Sequence, residues 1–223
     1  KLTLQNKKFV RYLCMYALLF FGLQAFLSGI YYIAGDMMGL VNAEGVTDGA
    51  KLGLMNAAAF APVPIMLLIM NYINKKKGIL FALRVGLVCF AVAMGVFLLA
   101  WQGWGIPIDK SYIGMIAGVI GSFAIGVFFT VPYAIPSQIA AEEAAATGKN
   151  RAAMYFAVQG LVNQIAAALA GSLFVVNVVK IRLWSNATGA FLVPIVIIIA
   201  CIASFILVGT LKPHAKAASN SQS

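Results

Sequence analysis

Acidic residues are scarce in this chain: 6 Asp and Glu in 223 positions, against 16 Lys and Arg. Charge of either sign makes up 10% of the sequence and hydrophobic residues 62%, where a soluble domain is about 25% charged. So apolar a chain is neither an ordinary soluble protein nor an intrinsically disordered one. Histidine occurs once, as His214 in a polar C-terminal stretch. The three cysteines, Cys14, Cys89 and Cys201, show no CxxC spacing and no clustered His or acid. They read as small buried apolar residues rather than metal or redox groups. There is no HExxH, no GxSxG and no His or Asp in the middle of an apolar run. An enzyme is therefore not expected. The basic excess could suggest nucleic acid, but here it is dispersed over short loops, so no nucleic-acid partner is expected.

What the chain has instead is long apolar runs. A bilayer-spanning helix needs roughly 20 mostly apolar residues. Six such runs occur: Tyr12 to Ala34, Leu52 to Ile73, Ile79 to Trp101, Tyr112 to Ile139, Ala152 to Val179, and Ala187 to Leu211. The expected fold class is all-α integral membrane, six transmembrane helices with a polar tail, Lys212 to Ser223. The first run is too long for the apolar part of a signal peptide, and the pattern repeats along the chain. One formal charge, Arg84, falls inside a run, close enough to its end to snorkel to the headgroups.

The cations sort by side. Lys1, Lys7, Lys8, Arg11, Lys75, Lys76, Lys77, Arg84, Lys149, Arg151, Lys212 and Lys216 fall on one face of a six-span topology; Lys51, Lys110, Lys180 and Arg182 fall on the other. The positive-inside rule places the first face, with both ends of the segment, in the cytoplasm.

Uncharged polar residues are shared unevenly. In the first span Gln24, Ser28 and Tyr31 recur at helical spacing along one stripe. Tyr155, Gln159 and Asn163 do the same in the fifth, with Gln164 beside them. The fourth carries Ser122, Thr130, Tyr133, Ser137 and Gln138, and the second carries Asn56. The third and sixth have almost nothing polar at mid-depth. Amides are costly in hydrocarbon unless they meet protein or water. The first, second, fourth and fifth helices should therefore face an interior or cavity, and the third and sixth should face lipid or act as scaffold. Interhelical glue is the competing reading for Gln24, Gln159 and Asn163. Pro62 and Pro64, and Pro132 and Pro136, should kink or break the second and fourth helices, as in the discontinuous helices of transporters. Gly114 and Gly118, and Ala166, Ala167, Ala170 and Gly171, mark places of close helix approach.

The stretch Val131-Pro132-Tyr133-Ala134-Ile135-Pro136, then Glu142-Glu143, then Thr147-Gly148-Lys149-Asn150-Arg151, resembles the tenth-to-eleventh-span region of the glycoside–pentoside–hexuronide:cation symporters. This is the melibiose permease-like family of the major facilitator superfamily. Leu4-Gln5-Asn6-Lys7-Lys8-Phe9 is similar to the loop before that family's seventh span. Asn74-Lys75-Lys76-Lys77-Gly78 sits where the superfamily has a basic loop, without its full Gly-x-x-x-Asp-Arg pattern. The resemblance covers nearly the whole chain in span order, with the specific motifs confined to about residues 131–164.

It implies one half of a major facilitator fold, a 3+3 inverted repeat, with the N-terminal six-helix half of the same transporter as partner. A chain beginning at Lys1 rather than Met fits a piece of something longer. The implied activity is cation-coupled symport of a sugar or glycoside by alternating access, in the bacterial cytoplasmic (inner) membrane. Gln24, Ser28, Tyr31, Tyr133, Gln159, Asn163 and Gln164 are the expected substrate-binding residues, because amides and phenols both donate to and accept from a small hydroxylated solute. Gln164 falls where melibiose permease has a lysine, so the charge found there in that protein is missing. Lys75, Lys76, Lys77, Glu142, Glu143, Lys149 and Arg151 are expected to gate or pair in the cytoplasmic loops. No cofactor is expected. A coupling cation, Na⁺ or H⁺, would find its ligands in the N-terminal half, since these spans hold no mid-membrane acid. The alternative is a self-contained six-span binding or structural subunit of a multi-component transporter.

Overall fold

The structure is a computed structural model that describes residues 6–148, 150–180 and 185–211. Lys149, Arg182, His214, the rest of the polar tail and the opening Leu4-Gln5 lie outside the described residues. Six helices are long and apolar enough to cross a membrane: α1 (Lys7–Met37), α2 (Gly49–Lys77), α3 (Ile79–Leu99), α4 (Lys110–Thr147), α5 (Ala152–Val179) and α6 (Asn186–Thr210). Among the described residues there is no β-strand, only an isolated bridge between Val41 and Thr47 in the α1–α2 loop.

Polar residues set where the helices begin. Asn6 accepts hydrogen bonds from the Lys8 and Phe9 amides, Asp48 from Ala50 and Lys51, Asp109 from Ser111, and Ser185 from Thr188. Each satisfies backbone donors that the first turn leaves over. Gly148, at φ 70°, ends α4 in the left-handed conformation open to glycine. The helices outrun the apolar runs at the basic end. There α1 starts at Lys7 and α4 continues to Thr147, because a helix needs hydrocarbon to span but not to persist.

The prolines act differently in the two helices. In α2 the helix is interrupted after Phe60 and resumes at Val63, so the chain breaks at Ala61-Pro62. In α4, Pro132 and Pro136 are buried and the helix runs through both. Two departures the sequence did not announce are π-helical stretches, Ile33–Met37 at the end of α1 and Leu169–Val175 within α5. Each widens the helix locally.

α1 packs between α5 and α6, α4 packs between α2 and α3, α3 lies against α6, and α1 touches α4. Small residues set the closest approaches. A Cβ on Gly118 would stand 3.0 Å from the Ala59 amide nitrogen, so α4 meets the backbone of α2 there. Gly171 of α5 lies against the side chain of Ser28 of α1, whose hydroxyl would stand 3.0 Å from an added Cβ. Buried residues make up 50% and 61% of the most apolar stretches of α1 and α4, and 44% and 39% of those of α3 and α6. The figures fall to 11% for α2 and 22% for α5. The third and sixth helices are thus scaffold packed behind α1 and α4, and the two least covered helices are the second and fifth.

At the end away from the lysine cluster, Trp101 meets Trp104 edge-on and Phe191 at a tilt, with ring centroids 5.7 and 4.8 Å away. The Gln102 amide donates to the Asp36 carbonyl at 2.9 Å. Such aromatic groups suit a membrane–water interface.

Candidate functional site

The predicted polar residues fall into two zones along α1. The first is a seam between α1 and α5. Tyr12 donates its hydroxyl to Gln159 Oε1 at 3.2 Å, and Tyr16 donates to Asn163 Oδ1 at 3.3 Å. The spacing of four on both helices brings the two pairs into register. Tyr12 and Tyr16 stack with centroids 5.7 Å apart. Gln159 is buried, 7% exposed, so its amide is engaged by protein rather than held open. Asn163 is half-buried beside it.

Toward the basic end the seam becomes a charged knot joining three helices. Asn6 Nδ2 donates to the Tyr155 hydroxyl at 3.0 Å, and that hydroxyl donates to Glu143. Arg151 Nη1 donates to the other Glu143 oxygen at 3.1 Å. Phe9 meets the Tyr155 ring edge-on at 4.4 Å. Lys8 pairs with Glu142 at 3.1 Å across a more exposed gap. The expected loop pairing therefore involves Glu142, Glu143 and Arg151, with Lys8 as the extra partner. Lys75, Lys76 and Lys77 form no salt bridge among the described residues. Instead Lys76 lies over Tyr72 and Lys77 over Phe81.

The second zone is an open stripe. On α1, Gln24 is half-buried and Ser28 and Tyr31 are exposed. Their side chains make no hydrogen bond to other described residues. They lie on the least covered face of α1, which also carries the exposed Cys14, with α5 approaching along its edge at Phe174 and Gly171. On α4, Tyr133 is 71% exposed. Gln164 of α5 is exposed. The structure thus brings Gln159 and Asn163 to the seam, leaves Ser28, Tyr31, Tyr133 and Gln164 exposed, and leaves Gln24 half-buried without a hydrogen-bond partner among the described residues. The polar groups of α4 that the sequence also offered, Ser122, Thr130 and Ser137, return their hydroxyls to carbonyls of their own helix.

Sequence reasoning missed Tyr12 and Tyr16. The available signal was their spacing, which matches that of Gln159 and Asn163. It also missed Ser204, a buried hydroxyl of α6 that donates to the Met15 carbonyl at 3.2 Å.

No group of three His, Cys, Asp or Glu side chains converges among the described residues. No protein-family model, no curated protein and no solved structure matches the chain.

Proposed function

We propose that this chain is one half of a secondary active transporter of the major facilitator type, moving a small hydroxylated solute such as a sugar or glycoside by alternating access. The observation that carries this reading is the incomplete cover of the bundle. An uncovered polar stripe on α1 and α4 is flanked by α2 and α5, the two helices with least of their apolar length buried. Bare amides and phenols are costly in hydrocarbon, so a second six-helix bundle opposite this face would enclose them in a shared cavity. The order of packing also supports an internal 3+3 repeat. Exchanging the first three helices with the last three maps α1–α6 onto α4–α3, α2–α4 onto α5–α1 and α2–α3 onto α5–α6. It maps α3–α6 and α1–α4 onto themselves, while the α4–α5 contact at the basic end has no α1–α2 counterpart of similar extent.

In this reading Gln24, Ser28, Tyr31, Tyr133 and Gln164 meet solute hydroxyls. Gln159 and Asn163 hold α5 to α1 and come free only when those helices part. The Tyr155–Glu143–Arg151 knot closes the cytoplasmic end. The cation that drives uptake, Na⁺ or H⁺, binds in the N-terminal half. The clustering of Lys8, Arg11, Lys75, Lys76 and Lys77 at one end, with the Lys51–Asp109 pair at the other, supports the basic end facing inward, and the bacterial inner membrane is the placement that the family resemblance implies.

The test is uptake by the protein, expressed from its full coding sequence and reconstituted in proteoliposomes. Glycosides and pentoses are screened under Na⁺, Li⁺ and H⁺ gradients. Gradient-dependent accumulation of one such solute is the expected result. No accumulation of any of them, with further spans absent from the coding sequence, would favour the self-contained six-span subunit.

A further inference from the structure

At the basic end, the termini of α1, α3 and α6 meet α4 around a cleft of about 220 Å³ lined by Lys8, Arg11, Leu80, Ile135, Ile139 and Leu211. The floor is aliphatic and the rim carries two cations. Glu142 and Glu143 are the acids among the described residues at this end, and both have cationic partners, Lys8 and Arg151. Arg11 forms no salt bridge among the described residues. One turn into α3 from Leu80, Arg84 packs over the Phe205 ring at 5.9 Å and against Gly209, the neighbour of the cleft residue Thr210. Its Nε is enclosed without an acceptor. Positive charge therefore exceeds negative here, at the depth where a helix leaves the apolar layer, and an apolar slot opens beside it. A free anion would answer the charge but leave the slot empty, and a neutral lipid tail would do the reverse. Basic pockets between helices at a membrane surface suit anionic headgroups.

We infer that this cleft binds an anionic phospholipid of the surrounding leaflet, with its phosphate at Arg11, beside the Lys8–Glu142 pair, and the upper acyl chain on Leu80, Ile135, Ile139 and Leu211. The lipid would touch α1, α3, α4 and α6 together, and the inference does not depend on what the protein transports.

Delipidated protein in detergent is titrated with phosphatidylglycerol, with phosphatidylcholine of the same acyl chains, and with inorganic phosphate, and bound species are counted by native mass spectrometry. The expected result is one tightly held phosphatidylglycerol, bound at least fivefold more strongly than phosphatidylcholine, and no retained phosphate. Arg11→Gln should weaken phosphatidylglycerol about fivefold, the effect of one basic residue at an anionic surface. Leu80→Trp, which narrows the slot and keeps every charge, should also reduce it, and Lys110→Gln at the opposite end should not. Thermal melting of each variant separates lost binding from lost folding. Equal binding of the two lipids, or an equal loss in Lys110→Gln, would overturn the proposal. Retention of phosphate without lipid would overturn it in favour of a free-anion site.

Discussion

The two stretches of α1 treat their polar side chains in opposite ways. From Asn6 to Tyr16 the amide and phenols are all matched to α5, through Tyr155, Gln159 and Asn163. From Gln24 to Tyr31 the amide, hydroxyl and phenol make no side-chain hydrogen bond to other described residues, with Gln24 half-buried and Ser28 and Tyr31 exposed. One helix thus carries both kinds of intramembrane polar group, those that hold helices together and those left for something else. Composition alone does not separate them, since a glutamine occurs in each class. What separates them is whether the facing helix offers a partner at the same spacing.

The comparison is sharpened first by substituting the open stripe. Gln24→Leu should reduce uptake about tenfold, the value of about one hydrogen bond to a solute hydroxyl, with membrane level and melting temperature unchanged. A fall in melting temperature with unchanged uptake would move Gln24 into the structural class.

The knot comes next. Tyr155→Phe removes the donor to Glu143 and the acceptor of Asn6, so it should destabilise the protein by about 1–2 kcal/mol. It should also raise the reactivity of cysteines placed near the basic end. Unchanged stability and reactivity would show that the knot is not closed in solution.

A smaller effect is expected at the seam. A double-mutant cycle of Tyr12→Phe and Gln159→Leu should give a coupling of about 0.6 kcal/mol, typical of interhelical hydrogen bonds in membranes. Zero coupling would show that the two side chains do not meet. Outside both stretches, Asp109 supplies a control. The Ser111 amide, then its hydroxyl and the Lys51 ammonium, hold the Asp109 carboxyl below its ordinary value. A lowered folded value means stability that is present above the ordinary carboxylate range and lost as pH falls through the lowered one. Asp109 is exposed, so the loss should be small, and Asp109→Ala should abolish that acid dependence while leaving uptake at neutral pH unchanged.

Six helices, and the ends of them at which the described cations such as Lys8, Arg11, Lys51 and Lys75 to Lys77 sit, were legible in the sequence, because both follow from one-dimensional apolar length and charge placement. The break in α2 was legible too, since Pro62 cannot donate to the preceding turn. The continuity of α4 through Pro132 and Pro136 was not. Both prolines lie on the covered side of the helix with Val131, Ile135 and Ile139, while Phe129 and Tyr133 on its other side are exposed. The π-helical stretches were equally hidden, since no residue type marks them. The polar stripes of α1 and α5 could be drawn from spacing, but not which groups were already taken. Gln159 and Gln24 look alike in sequence; only the position of Tyr12 across the seam distinguishes them.

The central claim is that the open stripe of α1 lines a water-filled path and the seam does not. It is tested most directly by Ser28→Cys, compared with Tyr16→Cys, each with Cys14, Cys89 and Cys201 replaced by serine. A membrane-impermeant maleimide should label the Ser28→Cys protein in intact proteoliposomes, transported solute should protect it, and the Tyr16→Cys protein should stay unlabelled. A Ser28→Cys protein that reacts only with a lipid-soluble reagent would place the stripe against lipid and contradict the account.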